Sequence, residues 1–452
     1  MHRTPDSRRR EAIDRLRLDA RSERGSAMLV VMGALVILFV ISTMLIVSAE
    51  FQVVQAQGEV LRVRALSTAD AGLNAYLAGL RHDGPGFAWN NPDLGPTATS
   101  DGTWTASITE TQGALLVRAV GTVTDETGKP FSRTVTSRVS YPSYADYALM
   151  GNCDINIGAD ATFIGKVGAT GRIVNAGKVY ADSTLTQAGA LWAGGAVTDQ
   201  VGSKPRRAVA AEAPMIHENL GSKWIDFGQI SDDMAILKST ATTSSTSFPE
   251  LTGKGIIGYR VTLDGANYSL HSVKGDKFTG GLSYTALTGK QNLPLPKTGV
   301  LYFDSDVWVV GNYNWALSIA SSGDIMLTQN ILATNSGSIH TCGLVAQNNV
   351  WIPIAYPMSE LPDTLKIQAA TIAITGHNGV YFEEGGPLRS KAWFIGSRTY
   401  NVATGLVSGS GRNAMGFGTR VYDYDQRLNI YTPPSFPVIR NGTLKVITWQ
   451  EQ

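Results

Sequence analysis

Residues 24–49 read RGSAMLVVMGALVILFVISTMLIVSA: past Arg24 and Gly25 no charge occurs from Ser26 to Ala49. As a helix, those 24 residues span ~36 Å at ~1.5 Å per residue. That exceeds a hydrocarbon core of ~30 Å, so the run crosses a bilayer with some tilt. Upstream, residues 1–24 carry eight arginines, five acids and no lysine, and the next basic residue is Arg62. This asymmetry predicts a single-pass chain in the cytoplasmic membrane, with residues 1–25 in the cytoplasm and everything after about Glu50 outside. Three readings of the segment compete. A secretory peptide cut near Val47-Ser48-Ala49 would need an apolar stretch well beyond the usual ~7–15 residues. The others are an uncleaved anchor and a leader cut after Gly25.

The sequence beyond Ala49 favours the leader. Phe51, Val54, Leu61, Ala65, Ala69, Leu73, Tyr76 and Leu80 recur at helical spacings, with Gly58 inside the longest gap. That is an amphipathic stripe. No breaker intervenes before Gly84-Pro85, so one helix of ~80 Å is expected from Ser26 to Leu80. The peptide Ala65-Leu66-Ser67-Thr68-Ala69-Asp70-Ala71-Gly72-Leu73 lies late in it.

With Arg24-Gly25-Ser26-Ala27-Met28-Leu29-Val30-Val31, that peptide resembles the N-terminal region of PilX-type minor pilins. Such proteins have a basic leader ending in Gly and a small-residue patch, here Ala69, Asp70, Ala71, Gly72 and Leu73. Asp70 stands where that family commonly has Glu, and Val30 where major pilins carry one. The resemblance implies processing by a prepilin peptidase between Gly25 and Ser26, methylation of the new terminus, and packing against other pilin-like subunits of a type IV pilus or related secretion machinery.

The remainder reads as β. Of the 452 residues 43 % are hydrophobic and only 17 % charged, with 48 glycines and a net charge of +1. Low charge and high glycine suit a turn-rich β protein. A near-neutral chain lacks the phosphate-neutralising surface that nucleic-acid binding requires, so no nucleic-acid partner is expected. Runs at 103–109, 114–123 and 131–139 alternate, separated by turn residues. They predict a three-stranded antiparallel meander over 83–145, packed on the end of the stem helix.

From residue 155 the chain has a six-residue beat: Ile155, Ala161, Val167, Ile173, Val179, Leu185, Leu191 and Val197. Three such short strands make one rung of a parallel β-helix. A second pattern, Asp or Asn followed by aliphatic-x-aliphatic, recurs at Asp154, Asp306, Asp324 and Asn349, where the acid or amide caps the turn. ALMGNCDINI (148–157) and GLVAQNNVWI (343–352) align over ten positions. The expectation is one β-helical body assembled from rungs at 146–200 and 300–410. Between them lies an irregular insertion at 201–299, with a linker near Lys204–Arg207, a short helix capped by Ser231, a Ser/Thr loop at 239–247 and a hairpin across Asp264-Gly265. The landmarks 343–353, 416–428, 433–437 and 449–451 resemble an uncharacterised family of bacterial envelope proteins that join a pilin-like stem to a β-helical ectodomain. In that reading 411–452 is a capping strap over the open end. The fold class is thus mainly β with a long N-terminal α-helix: a pilin-like stem, a small antiparallel sheet and a parallel β-helix ectodomain.

Chemistry-bearing motifs are sparse. His217-Glu218 begins like a zinc-protease helix but lacks the second His. Gly409-Ser410-Gly411-Arg412-Asn413-Ala414 mimics a dinucleotide loop without its βαβ setting. Asp304/Asp306 and Asp423/Asp425 are candidate Ca²⁺ or carboxylate pairs, or simply one solvated strand face. Cys153 and Cys342 are either bridged, if their rungs stack, or two free thiols. No catalytic residue, metal or cofactor is assigned, and a structural, non-enzymatic role is expected. The competing readings are a membrane-anchored adhesin or envelope scaffold outside any pilus, and a membrane-tethered polysaccharide-active β-helix enzyme.

Overall fold

The computed structural model describes residues 5–83, 93–111, 114–158, 160–181, 189–201, 204–206, 215–221, 224–334, 340–409, 411–439 and 444–451, with stem side chains from Met28 on. The N-terminal helix runs unbroken from Pro5 to Asp83, 79 residues or roughly 120 Å. It therefore begins well before Ser26. The leader is helical too, because arginine and the other long side chains of 5–24 are good helix formers.

Its last turns lie on an antiparallel sheet. The three expected strands are present as Thr103–Thr111, Ala114–Thr124 and Pro130–Ser140. Asp93–Ala98 adds one edge and Lys445–Glu451 the other. Ala69, Leu73, Tyr76 and Leu80 pack on Trp104, Val117, Ala119, Val135 and Val139 in one apolar cluster. The helix comes unusually close at Gly121, where a Cβ would meet Ala65 O at 2.2 Å and Ala69 N at 2.3 Å. Only glycine permits that approach.

Beyond the meander the chain forms a large mixed sheet, in which three parallel ladders are edged by antiparallel pairs, and a separate four-stranded sheet in which Ile155–Ile157, Ile173–Asn175, Val197–Val201 and Lys204–Arg206 are successive neighbours. In one ladder Leu301, Ile319, Leu344, Thr371, Arg398, Leu149, Val167, Leu191 and Ile216 are successive register partners. In the second the order is Tyr259, Val307, Ile325, Val350 and Asn378. In the third it is Ile331, Ile367, Phe394, Tyr422, Phe163 and Val179. The spatial order passes from residue 398 back to 149, so rungs from both sides of the insertion form one stack. The aligned peptides are in step within it: Leu344 and Leu149 share a register column through Thr371 and Arg398.

The six-residue beat marks the inside of the stack. Ile155, Ala161, Val167, Ile173, Val179, Leu191 and Val197 are all buried in its core; Leu185 lies outside the described residues. Pairs eighteen residues apart, Leu149 with Val167 and Ile155 with Ile173, are register partners. The Asp/Asn corners form a ladder from rung to rung. Asp154 Oδ1 accepts from Arg172 N–H at 2.7 Å and Asp306 Oδ1 from Asp324 N–H at 2.7 Å. Asp324 Oδ1 accepts from Asn349 N–H at 2.9 Å and Asn349 Oδ1 from His377 N–H at 2.8 Å.

Three expectations are corrected. First, the insertion is not separate from the body. Ile256–Gly265 is hydrogen-bonded to Val307–Tyr313 as the first rung of its ladder, and the hairpin with Asn267–Asp276 covers its outer edge. Lys204–Arg206 is a strand rather than a linker, while Arg207 lies outside the described residues. Second, the helix runs Ile230–Thr243 with Gln229 at its N-terminus and no side-chain cap. Ser231 is therefore inside it. The Ser/Thr run is helical as far as Thr243, where Thr242, Thr243 and Ser244 return their hydroxyls to carbonyls four residues back and so satisfy them within the helix. Third, the C-terminal residues do not cap the stack. Met415–Asp423 is a rung, paired with Leu388–Val402 and Ala161–Ile164. Phe436 and Ile439 cover a lateral face with Tyr144, Met150, Leu237 and Ile372. The last strand completes the meander, because its edge at Pro130–Ser140 would otherwise be unpaired. Of the two alternatives left open for the cysteines, the structure has the free pair. The strand beginning at Cys342 and the strand just before Cys153 are three ladder steps apart, about 14 Å at ~4.8 Å per step, which a disulfide cannot span.

Candidate functional site

The stem divides at Ala65. From Met28 to Val63 no apolar side chain is buried: Leu29 is 74 % exposed, Phe39 73 % and Phe51 62 %. The stretch Met28–Arg81 contains a window of mean hydropathy 2.9 that none of the described residues covers, so by length and composition it is apolar enough to cross a membrane. Its polar content is muted locally. Thr43 donates its hydroxyl to Phe39 O at 2.8 Å, which satisfies the group inside the helix. Farther on, Glu59 and Arg62 form an exposed pair at 2.5 Å. Beyond Ala65 the stripe is buried. The anticipated stripe residues Phe51 and Val54 are exposed, since the sheet does not reach back that far.

The small-residue patch is the seam between helix and sheet. Ala69 and Leu73 are buried, and Gly72 lies against the Trp104 ring, 2.9 Å from where its Cβ would be. Ala71 faces solvent. Asp70 Oδ1 accepts from Trp449 Nε1–H at 3.2 Å, tying the C-terminal strand to the stem. Tyr141 donates to Leu80 O at 2.9 Å and so caps the last buried turn. Burial, and to a smaller degree the Asp93 charge, pushes the Tyr76 phenol up to about 12. Lys445 contacts Asp146, and Ser143 donates its hydroxyl to Pro437 O at 2.9 Å. The junction is therefore pinned from both ends of the chain. Gly25 and Ser26 lie within the helical backbone, which places them one helical turn before the exposed apolar run.

The structure disperses the other candidates. Asp304 pairs with Lys238 at 2.8 Å and Asp306 with Lys277 at 2.5 Å, so the two carboxylates serve different contacts. Asp425 is held by Arg427 at 2.5 Å. The Asp423 carboxyl is raised by burial and by the Asp425 charge. His217 ends a short strand and stacks on Trp192 at 3.8 Å, while Glu218 accepts from Val197 N–H at 3.0 Å. The backbone at His217 is strand and not helix. Gly411–Asn413 is a 3-10 turn, and residue 410 of the dinucleotide-like loop lies outside the described residues. No group of three metal-ligating side chains occurs among the described residues. Trp308 is fully buried and Trp351 half-buried.

Two buried arginines had no signal in the sequence. Arg389 donates to Leu361 O, Ile354 O and Tyr356 O. Arg398 occupies the inward column between Thr371 and Leu149. It donates to Tyr422 Oη at 3.0 Å and Thr404 O at 3.1 Å, and it lies over the Tyr400 and Phe394 rings. Runs rich in aliphatics predicted an apolar interior; only the tertiary fold supplies the carbonyls that make these cations tolerable.

No family model matches the chain, and no curated protein does. Among solved structures, the chain is similar to the crystal structure of competence-associated pilin ComZ from Thermus thermophilus. The identity is 13 %, the TM-score 0.33, and the match covers 87 % of this chain and 97 % of that one.

Proposed function

We propose that this chain is a PilX-type, pilin-like structural subunit of a type IV pilus or related secretion machinery, built to assemble and not to catalyse. The observation that carries the reading is the divided stem. Its apolar front half has no partner among the described residues, and its rear half is buried on an antiparallel sheet. In this reading a prepilin peptidase cuts after Gly25 in the cytoplasm, and the Ser26 amine is methylated. The front half then moves from lipid into contact with sister stems, since both surroundings accept an uncharged helix. The parallel ladders wind as a β-solenoid ectodomain, held outside the cytoplasmic membrane by the pinned junction. Wide pairing of short strands in register supports that winding.

The test is the mature N-terminus of the native protein, read by intact mass and N-terminal peptide sequencing. A chain beginning at Ser26 is the expected result. A chain beginning at Met1 would overturn the pilin route in favour of an anchored adhesin or scaffold. A chain beginning at Glu50 would make it a secreted protein.

A further inference from the structure

One outer face of the ladder body is left open, and its side chains are in register. Lys366 pairs with Trp393, Trp393 with Val421, Val421 with Thr162, and Thr162 with Lys178. These alternate along their strands with buried residues such as Leu365, Phe394 and Tyr422, so they share the outward face. The column is four ladder steps long, about 19 Å at ~4.8 Å per step, with a lysine at each end. Lys391, two residues before Trp393 on the same face, joins it. The Lys391 ammonium lies 4.5 Å and the Lys366 ammonium 5.1 Å from the Trp393 ring centroid.

Among the described residues, none of these three ammoniums has a carboxylate partner, whereas Lys238, Lys277 and Lys445 all do. The nearby acids are otherwise engaged. Asp363 accepts from the Ser390 hydroxyl and amide. Asp160 lies 3.8 Å from Arg420. Asp423, on the next outward column, is partly buried, and burial together with Asp425 raises its carboxyl. Lateral segments around Tyr144, Phe227 and Phe436 cover a different ladder, and the hairpin carrying Phe278 covers a third region beside Trp308 and Met326.

We propose that this face binds a linear acidic polysaccharide, with Lys366, Lys391 and Lys178 taking the carboxylates, the Trp393 ring holding the first two ammoniums in place, and Val421 meeting an apolar sugar face. Charge complementarity selects an anion, and the straight, in-register column selects a chain over a compact ligand. Three cations are too few for a nucleic-acid backbone, whose binding rests on neutralising many phosphates. An acidic glycan, whose rings offer apolar faces beside the carboxylates, matches lysines interleaved with Val421 better. This site goes beyond the assembly role and does not depend on it.

The test uses the full chain in detergent micelles, titrated calorimetrically with polygalacturonate, neutral dextran, single-stranded DNA and anionic phospholipid vesicles in turn. Binding of polygalacturonate alone, weakened at least tenfold in a K178Q/K366Q/K391Q variant and not in a K254Q/K297Q control, is the expected result. A melting curve matching the parent would show the triple variant is folded; because the substitutions are at exposed or half-exposed positions, the separate K366Q and K391Q variants serve if it is not. Absence of polygalacturonate binding overturns the proposal. So does binding that the lysine substitutions leave unchanged, or tighter binding of DNA or vesicles through the same lysines.

Discussion

Trp449 donates its indole N–H to Asp70 Oδ1 at 3.2 Å, across 379 residues of chain. The last strand thereby closes on the stem helix as well as on the sheet edge, where Ser137 also donates its hydroxyl to Thr448 O at 3.0 Å. Trp449 is half exposed, so the bond is worth about 0.5–1.5 kcal/mol. Trp449→Phe and Asp70→Ala should each lower stability by about that much. The double variant should cost less than their sum, read from urea midpoints as a coupling of roughly 0.5–1 kcal/mol. Full additivity would mean that the contact does not tie strand to stem.

The approach of the helix at Gly121 yields a sharper contrast. A Cβ there meets backbone atoms of Ala65 and Ala69, which have no side-chain freedom to give way. At Gly72 the obstacle is the Trp104 ring, which has a tilt available. Gly121→Ala should therefore destabilise the junction by about 2–3 kcal/mol and Gly72→Ala by about 1 kcal/mol. Limited proteolysis near the seam, compared between the two variants, would show the order; equal sensitivity would contradict it.

How much of this was legible follows from the range over which each signal acts. The stem, the meander and the beat depend on local periodicity, and the buried positions from Ile155 to Val197 follow it. The stacking of 149 on 398 was foreshadowed only by the likeness of 148–157 to 343–352, since stacked rungs face similar neighbours. The destination of the C-terminus was not legible. Pro433–Pro437 and Trp449 carry no sign that their partners are a lateral sheet face and Asp70. Arg398 was likewise hidden, because its acceptors, Tyr422 and Thr404, are brought to it by different strands.

The corner ladder assigns unequal weights to its acids. Asp324 is nearly buried. Its Oδ1 accepts from both Asn349 N–H and Nδ2–H at 2.9 Å, and its Oδ2 faces Lys277 at 2.6 Å. Asp154 caps a corner with its side chain 47 % exposed. Asp324→Ala leaves a buried amide without its acceptor and the Lys277 ammonium with Asp306 alone, and should cost about 2–4 kcal/mol. Asp154→Ala should cost less, since water replaces the carboxylate. Thermal melts of the two variants rank them directly, and a larger loss at Asp154 would refute the ladder as a source of stability.

Lys277 bridges Asp306 at 2.5 Å and Asp324 at 2.6 Å with its side chain 26 % exposed. Burial works against the ammonium, but the two carboxylates outweigh it and hold the group above the ordinary lysine range. A folded pKa above the unfolded one means the bridge contributes in full below the unfolded value of about 10.4. The contribution is then lost as pH rises through the folded value. Lys277→Met should therefore lower stability at neutral pH while flattening the alkaline decline. Stability curves from pH 7 to 11 would test this, and parallel declines in parent and variant would exclude Lys277 as the titrating group.

The two thiols give the last test of how the rungs are ordered. Cys342 is 1 % exposed and burial pushes it far up. Cys153 is half-buried, and burial with the Asp154 charge takes it to about 11. Neither is a ready nucleophile at neutral pH. Native protein should react slowly with a thiol reagent, while denatured, unreduced protein should titrate both cysteines. Cys153→Ser should leave non-reducing mobility unchanged. Finding no titratable thiol after denaturation would mean that the two residues are bridged, and hence that their strands are neighbours and not separated by Thr364–Tyr381 and Leu388–Val402 as the register requires.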